Sequence, residues 1–239
     1  MNERLYFEPE INSDSKTILL NEDESHHLLK VIRAQKGESL NLMNGKGLMA
    51  EARILDISKK RAQLEIYNAV FYPDVTNRIH LGICPIKKRD KLEMIVEKAT
   101  EMGVSEISFI QSEFSERSKI NWSRFEKIIS SAAKQSVNPY APKLNPLTNF
   151  SSFIENFTDA TGQKFIAWCG TVNENHISKY FKANQDIVIL IGPEGDFSEQ
   201  EVKLASGRNF VPVNLGNLRL RSETAALFAI SAIQALKEI

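Results

Sequence analysis

Two glycine-rich stretches carry the residues best suited to hold a ligand. The first is Gly192-Pro193-Glu194-Gly195-Asp196-Phe197, and the second runs from Leu215 through Gly216, Leu218, Arg219, Leu220 and Arg221 into Ser222-Glu223-Thr224-Ala225. Gly192, Gly195 and Gly216 let backbone groups approach a ligand closely. Leu215, Leu218 and Leu220 can wall a flat apolar group, and Arg219 and Arg221 offer fixed positive donors. A phosphate cradle fits badly: acids beside the turn repel phosphate, and neither G-x-x-x-x-G-K-[ST] nor G-x-G-x-x-G is present. Glu194 and Asp196 could share a divalent metal, yet no further acid cluster follows to complete an oxygen cage. The four histidines and two cysteines show no zinc-ligand spacing. The plain alternative is two tight strand–helix turns with solvated arginines.

Basic residues form a second group. Lys87, Lys88, Arg89 and Lys91 crowd an expected helix start, where cations oppose the helix dipole and an anionic partner would offset the cost. Arg4, Arg33 and Arg117 are isolated, and His26 and His27 are expected to be half-buried in a helix. Acids and bases balance at 30 each, so a nucleic-acid partner needs a local patch. Cys84 and Cys169 lie in apolar segments and read as reduced core cysteines of a cytosolic protein. No apolar run reaches about 18 residues, so no transmembrane helix is expected, and "MNERLYFEPE" lacks an apolar signal core.

The elements that must position these residues fall into two parts. Residues 1–72 look β-rich: "AQLEIY" alternates Ala62, Leu64 and Ile66 with polar positions, "MNGKG" signals a hairpin turn, and "EDESHHLLKVIR" (22–33) reads as a short helix. The polar break "YPDVTN" marks a domain boundary, giving domains 1–72 and 73–239. Beyond it strands and helices alternate. "RIHLGIC" and "EISFIQ" are strands, and Leu92, Ile95, Val96, Ala99 and Met102 share a helical face. "SRFE" (123–126) and "SEQE" (198–201) are expected capping boxes. "KFIAWC" and "DIVILI" are continuous apolar runs, as central parallel strands require. The order predicts an α/β domain with a largely parallel sheet, whose ligand site lies beyond the carboxyl ends of the strands. The C-terminal helix "SETAALFAISAIQALKEI" is apolar around much of its circumference and wants a large buried interface.

Taken together, "IGPEGDFSEQEV" and "LGNLRLRSETAALFAI" resemble the ribosomal RNA small-subunit methyltransferase E family of the SPOUT superfamily. "RLYF", "HHLLKVIRAQKGE", "KKRDKLEMIVEKATEMGV" and "AAKQS" are similar to further ordered motifs of that family, so the likeness spans the chain. It implies an N-terminal PUA-like β-barrel that binds RNA and a C-terminal SPOUT α/β domain with a deep trefoil knot. It also implies a cytoplasmic homodimer, S-adenosyl-L-methionine as cofactor, and N3-methyluridine in small-subunit (16S) rRNA, within the assembled particle, as product. Five positions depart from the family pattern: Met102 replaces Leu, Asp196 replaces the last Gly of Gly-Pro-Glu-Gly-Gly, Asn138 stands where an Arg is expected nearby, and Leu218-Arg219 reverses a basic–apolar pair.

The resemblance assigns roles. Ile191, Gly192, Glu194, Gly195, Leu215, Gly216, Leu220, Arg221, Thr224 and Ala225 bind the cofactor, Glu194 through a ribose hydroxyl or the amino group. Arg221 is the expected catalytic residue, stabilising charge on the uracil ring once N3 loses its proton. Arg4, His27, Arg33, Lys88, Arg89 and Arg117 are the expected RNA contacts, and no metal is expected. Two other classes stay open: an RNA-binding ribosome assembly factor without catalysis, and a metal-dependent hydrolase using Glu194 and Asp196.

Overall fold

The computed structural model describes residues 4–58, 60–74, 76–115, 120–157, 162–170 and 175–237. The chain forms two compact units: residues 1–74 with 130–141, and residues 75–129 with 142–239.

The first unit holds β1 (Leu5–Phe7), β2 (Thr17–Leu19), α1 (Glu22–His26), β3 (Ser39–Met43), β4 (Leu48–Ser58) and β5 (Arg61–Phe71). The strands pair in the order β1-β3-β4-β5-β2. The expected turn joins β3 to β4, closed by Asn44, whose Oδ1 accepts the N–H groups of Lys46 (2.7 Å) and Leu48 (3.0 Å). Alternation on β5 buries Ala62 and Leu64 against Tyr6, Leu28, Leu42 and Ile54. The helix expected over 22–33 is shorter. After His26 the backbone widens into a π-turn (His27–Val31) and stops at Arg33, which sits at φ 59. The wide turn buries Leu28 and leaves His26, His27, Val31 and Ile32 exposed, so neither histidine is half-buried. Glu24 pairs with Lys134 of the 130–141 segment.

The second unit is a parallel sheet with helices. It contains β6 (Ile79–Ile83), α2 (Arg89–Glu101), β7 (Glu106–Gln111), α3 (Trp122–Ser136, whose last turns belong to the first unit), β8 (Lys143–Asn149), α4 (Phe150–Glu155), β9 (Gln163–Ala167), β10 (Ile187–Ile191), α5 (Glu199–Ser206), β11 (Val211–Val213) and α6 (Ser222–Lys237). The strand order is β11-β9-β10-β6-β7-β8, every pair parallel. All five residues of β10 are buried, as its unbroken apolar run requires. The chain runs outward from β6 to β8, then returns beyond β6, and β10 enters between β9 and β6. That reversal is a topological switch, where α/β sheets bind ligands. Ser198 caps α5 in a full capping box with Glu201. On α3 the expected box at Ser123 is displaced: Asn121 caps, its Oδ1 accepting the Arg124 N–H at 3.2 Å.

Candidate functional site

Because the strands are parallel, the segments following β6, β9, β10 and β11 all leave the same edge of the sheet. They enclose a cavity of about 960 Å³, near the upper end of the usual range for small-molecule sites. Four walls can be named. Ile86, Lys87 and Lys88 come from the β6–α2 connection, Lys91 from the first turn of α2, and Ala167–Gly170 from the end of β9. Ile191–Glu194 and Asp196 come from the end of β10, and Val213–Glu223 with Ala225 from the segment that enters α6.

Of the expected cofactor residues, Ile191, Gly192, Glu194, Leu215, Gly216, Leu220, Arg221 and Ala225 line this cavity. Gly195 and Thr224 are not among its lining residues. Gly195 serves another contact: a Cβ there would stand 2.9 Å from the Phe114 Cβ, so only glycine lets the two loops meet. Gly216, at φ 126, has nothing within 4 Å of where a Cβ would project, which leaves open space above its backbone. Leu218 is 81% exposed, the most solvent-facing of the three leucines.

Hydrogen bonds tie the walls together. Glu194 Oε1 accepts the Lys87 N–H at 3.2 Å, joining the β10 and β6 loops. Asp196 Oδ2 accepts the Cys169 N–H at 2.9 Å, and its Oδ1 accepts the Phe197 N–H at 2.8 Å. Asp196 is therefore a brace between the β10 and β9 loops, since Ser198 is the cap of α5. Its φ of 66 lies in the left-handed region that favours glycine. Cys169 is exposed beside Asp196 and not in the core as the sequence suggests, because the strand ends at Ala167 and the chain turns outward. Partial burial, then the Asp196 charge, raises its thiol pKa, so it stays protonated. Cys84 is buried, which pushes its thiol up to about 12.

The β9 wall and Lys87 and Lys91 join the site beyond the residues expected from sequence. A signal for them exists, since "AWCG" and "PIKK" each follow an apolar strand at its carboxyl end. The donor set suits a ligand with an apolar ring and a positive group: leucines and Ile86 offer slots, and Glu194 and Asp196 supply negative charge. Three lysines and two arginines at the same cavity give a neighbouring cationic wall for a polyanion. Among the described residues, no group of three or more His, Cys, Asp or Glu is arranged to hold a metal ion.

The expected RNA contacts divide between the units. Arg4, His27 and Arg33 lie in the first; Arg4 pairs with Glu38, and His27 packs tilted against Tyr6 with ring centroids 6.1 Å apart. Lys88 and Arg89 lie in the second, where Lys88 lines the cavity and Arg89 opens α2 without a side-chain cap from Lys88. Arg117 lies outside the described residues. No helix among the described residues is long and apolar enough to cross a membrane.

Comparison with known proteins accords with this site. The RNA methyltransferase domain family matches residues 74–234, and the RNA methyltransferase PUA domain matches residues 20–67. A probable rRNA-methyltransferase of Porphyromonas gingivalis superposes with a TM-score of 0.88 at 35% identity, covering 98% of both chains. A ribosomal RNA small subunit methyltransferase E of Neisseria gonorrhoeae, bound to S-adenosyl methionine, superposes with a TM-score of 0.84 at 28% identity, again covering 98% of both. Ribosomal RNA small subunit methyltransferase E 2 of Borreliella burgdorferi is 32% identical over 89% of this chain and 88% of its own length. The matched residues include both halves of the cavity, and the chain belongs to the ribosomal RNA small subunit methyltransferase E family.

Proposed function

We propose that this chain methylates N3 of a uridine in small-subunit (16S) ribosomal RNA, with S-adenosyl-L-methionine as methyl donor. The observation that carries the reading is the cavity at the strand ends, whose walls are glycine backbone, leucines and Glu194 where a phosphate site would need a cradle of free N–H groups. The Neisseria relative, of the same fold, is bound to S-adenosyl methionine. That cofactor supplies an electrophilic methyl group on a sulfonium. The chain's own residues supply position and charge. Backbone groups of Ile191, Gly192, Leu215, Gly216 and Leu220 hold the adenosine and methionine parts, and Glu194 accepts from a ribose hydroxyl or the amino group. Gly195 and Thr224 support that wall from outside it. Arg221 stabilises negative charge on the uracil oxygens after N3 loses its proton, and arginine itself does not act as the base. Lys88 and Arg89, with Arg4, His27, Arg33 and Arg117, contact the RNA backbone.

The same reading takes residues 1–72 as a closed PUA-like barrel and 73–239 as the methyltransferase domain, knotted around its two cofactor loops. It takes the active form as a cytoplasmic homodimer acting on the assembled small subunit. Light scattering of the purified protein checks the dimer. The chemistry is tested by labelled methyl transfer into small subunits that lack the mark, followed by mass mapping of the rRNA. Label at uridine N3 is expected. Label on another atom overturns the N3 assignment, and cofactor binding without transfer to particle or naked rRNA points to the assembly-factor class.

A further inference from the structure

We infer that Phe114 is a stacking platform for a nucleobase of the RNA held beside the cavity, an inference that rests on the RNA-methylation reading above. Phe114 lies just beyond β7, whose parallel pairing with β6 puts it at the same end of the sheet as the cavity loops. It is 51% exposed. The turn that carries it is held from several sides. Ser112 and Ser115 hydrogen-bond through their hydroxyls at 2.7 Å, Ser115 Oγ also accepts the Ser112 N–H at 3.0 Å, and Gln111 Nε2 donates to the Ser115 carbonyl at 3.0 Å. The Glu113 N–H donates to Glu201 Oε1 at 2.9 Å, fastening the turn to α5.

Phe114 also rests on Gly195, which stands between two cavity-lining acids, Glu194 and Asp196. A rigid aromatic face is thus fixed to the cofactor loop without filling the cavity. A uridine that must be unstacked to expose N3 needs a replacement for the stacking it gives up, and an aromatic ring supplies it to any base. One side of the residue packs on Gly195, and the 51% exposure leaves the other side open to a base.

The test uses the full-length protein with Phe114→Ala, Phe114→Leu, Phe114→Tyr and Phe114→Trp, and reads three quantities. These are affinity for single-stranded oligouridylate by anisotropy, KM and kcat for methyl transfer to unmethylated small subunits, and cofactor affinity by calorimetry. Stacking predicts that Ala and Leu weaken oligouridylate binding and raise KM by about 5- to 150-fold, while Tyr and Trp stay within about threefold of wild type. Cofactor affinity is expected to be unchanged. Leu matching Phe would reduce the ring to mere bulk and overturn the inference, as would dimer dissociation in Phe114→Ala. If wild type transfers no methyl group yet the oligouridylate series keeps its order, the methylation reading fails while the platform stands.

Discussion

The two ends of the parallel sheet are built to opposite rules. At the carboxyl ends of the strands, glycines, acids and cations face a cavity of about 960 Å³. Toward the amino ends, polar groups are turned inward and satisfied by one another. His80 Nε2 and Ser108 Oγ share a 2.8 Å hydrogen bond, and Asn145 Nδ2 donates to Ser108 Oγ (3.0 Å) and Glu106 Oε2 (2.9 Å). The rings of Phe153 and Phe157 cover His80, with centroids at 5.6 and 5.7 Å. One end keeps its polar groups available to a ligand, and the other uses them for stability. Substitutions of open-end side chains that take no part in bracing the loops should therefore change activity with little change in melting, and those at the closed end the reverse.

The largest expected effect is at the open end. Arg221→Ala should lower methyl transfer by about 10²- to 10³-fold, the usual cost of removing one donor to a developing negative charge. Its melting temperature should stay near wild type, because Arg221 is exposed. Activity near wild type would remove the arginine from the chemistry.

The closed end answers to pH. Burial, partly countered by Glu106 and reinforced by Lys143, lowers the His80 pKa to about 4. The unfolded chain takes up this proton below about pH 6.5, whereas the folded chain takes it up only near pH 4. His80 therefore withdraws stability progressively as pH falls from about 6.5 to 4, by about 3 kcal/mol in all. Urea unfolding of wild type and His80→Gln across that window checks it. The variant, which keeps a hydrogen-bonding group toward Ser108, should show the shallower decline, and parallel curves would sink the assignment.

The cationic wall comes next. Replacing Lys88 and Lys91 by Glu should weaken RNA binding and lower the salt slope, by about 0.7–0.9 for each phosphate no longer neutralised. An unchanged slope would return these lysines to ordinary surface.

How far this contrast can be read from the sequence depends on the range of the interactions involved. β10, the α5 capping box and the β3–β4 turn are set by residues close together in the chain, and their local signals are strong. β8 carries no clear strand signal, because Pro146 breaks the pattern, yet an edge strand tolerates it. The glycine loops are visible as a pair, but their partners are not. Gly195 meets Phe114, Asp196 meets Cys169, and Glu194 meets Lys87 only because β10 enters between β9 and β6. Periodicity carries no information about that insertion, so the β9 wall stays hidden with it.

Asp196 gives the smallest and most discriminating effect. The family pattern that the sequence resembles has glycine here, and the φ of 66 suits it: a residue with a Cβ is held in a left-handed conformation at a cost of about 1 kcal/mol. Asp offsets that cost by accepting the N–H groups of Cys169 and Phe197. The two contributions separate in three variants. Asp196→Asn keeps both an acceptor and a residue that tolerates this conformation. Asp196→Gly keeps only the conformation, and Asp196→Ala keeps neither. Melting temperature should fall in that order, with Ala below Gly by about 2–4 °C, the shift that about 1 kcal/mol produces in a chain of this size. Cofactor affinity should instead drop together in Gly and Ala, because both release the β9 wall. If Gly and Ala melt alike, the left-handed backbone carries no measurable cost here, and the brace alone must account for Asp196.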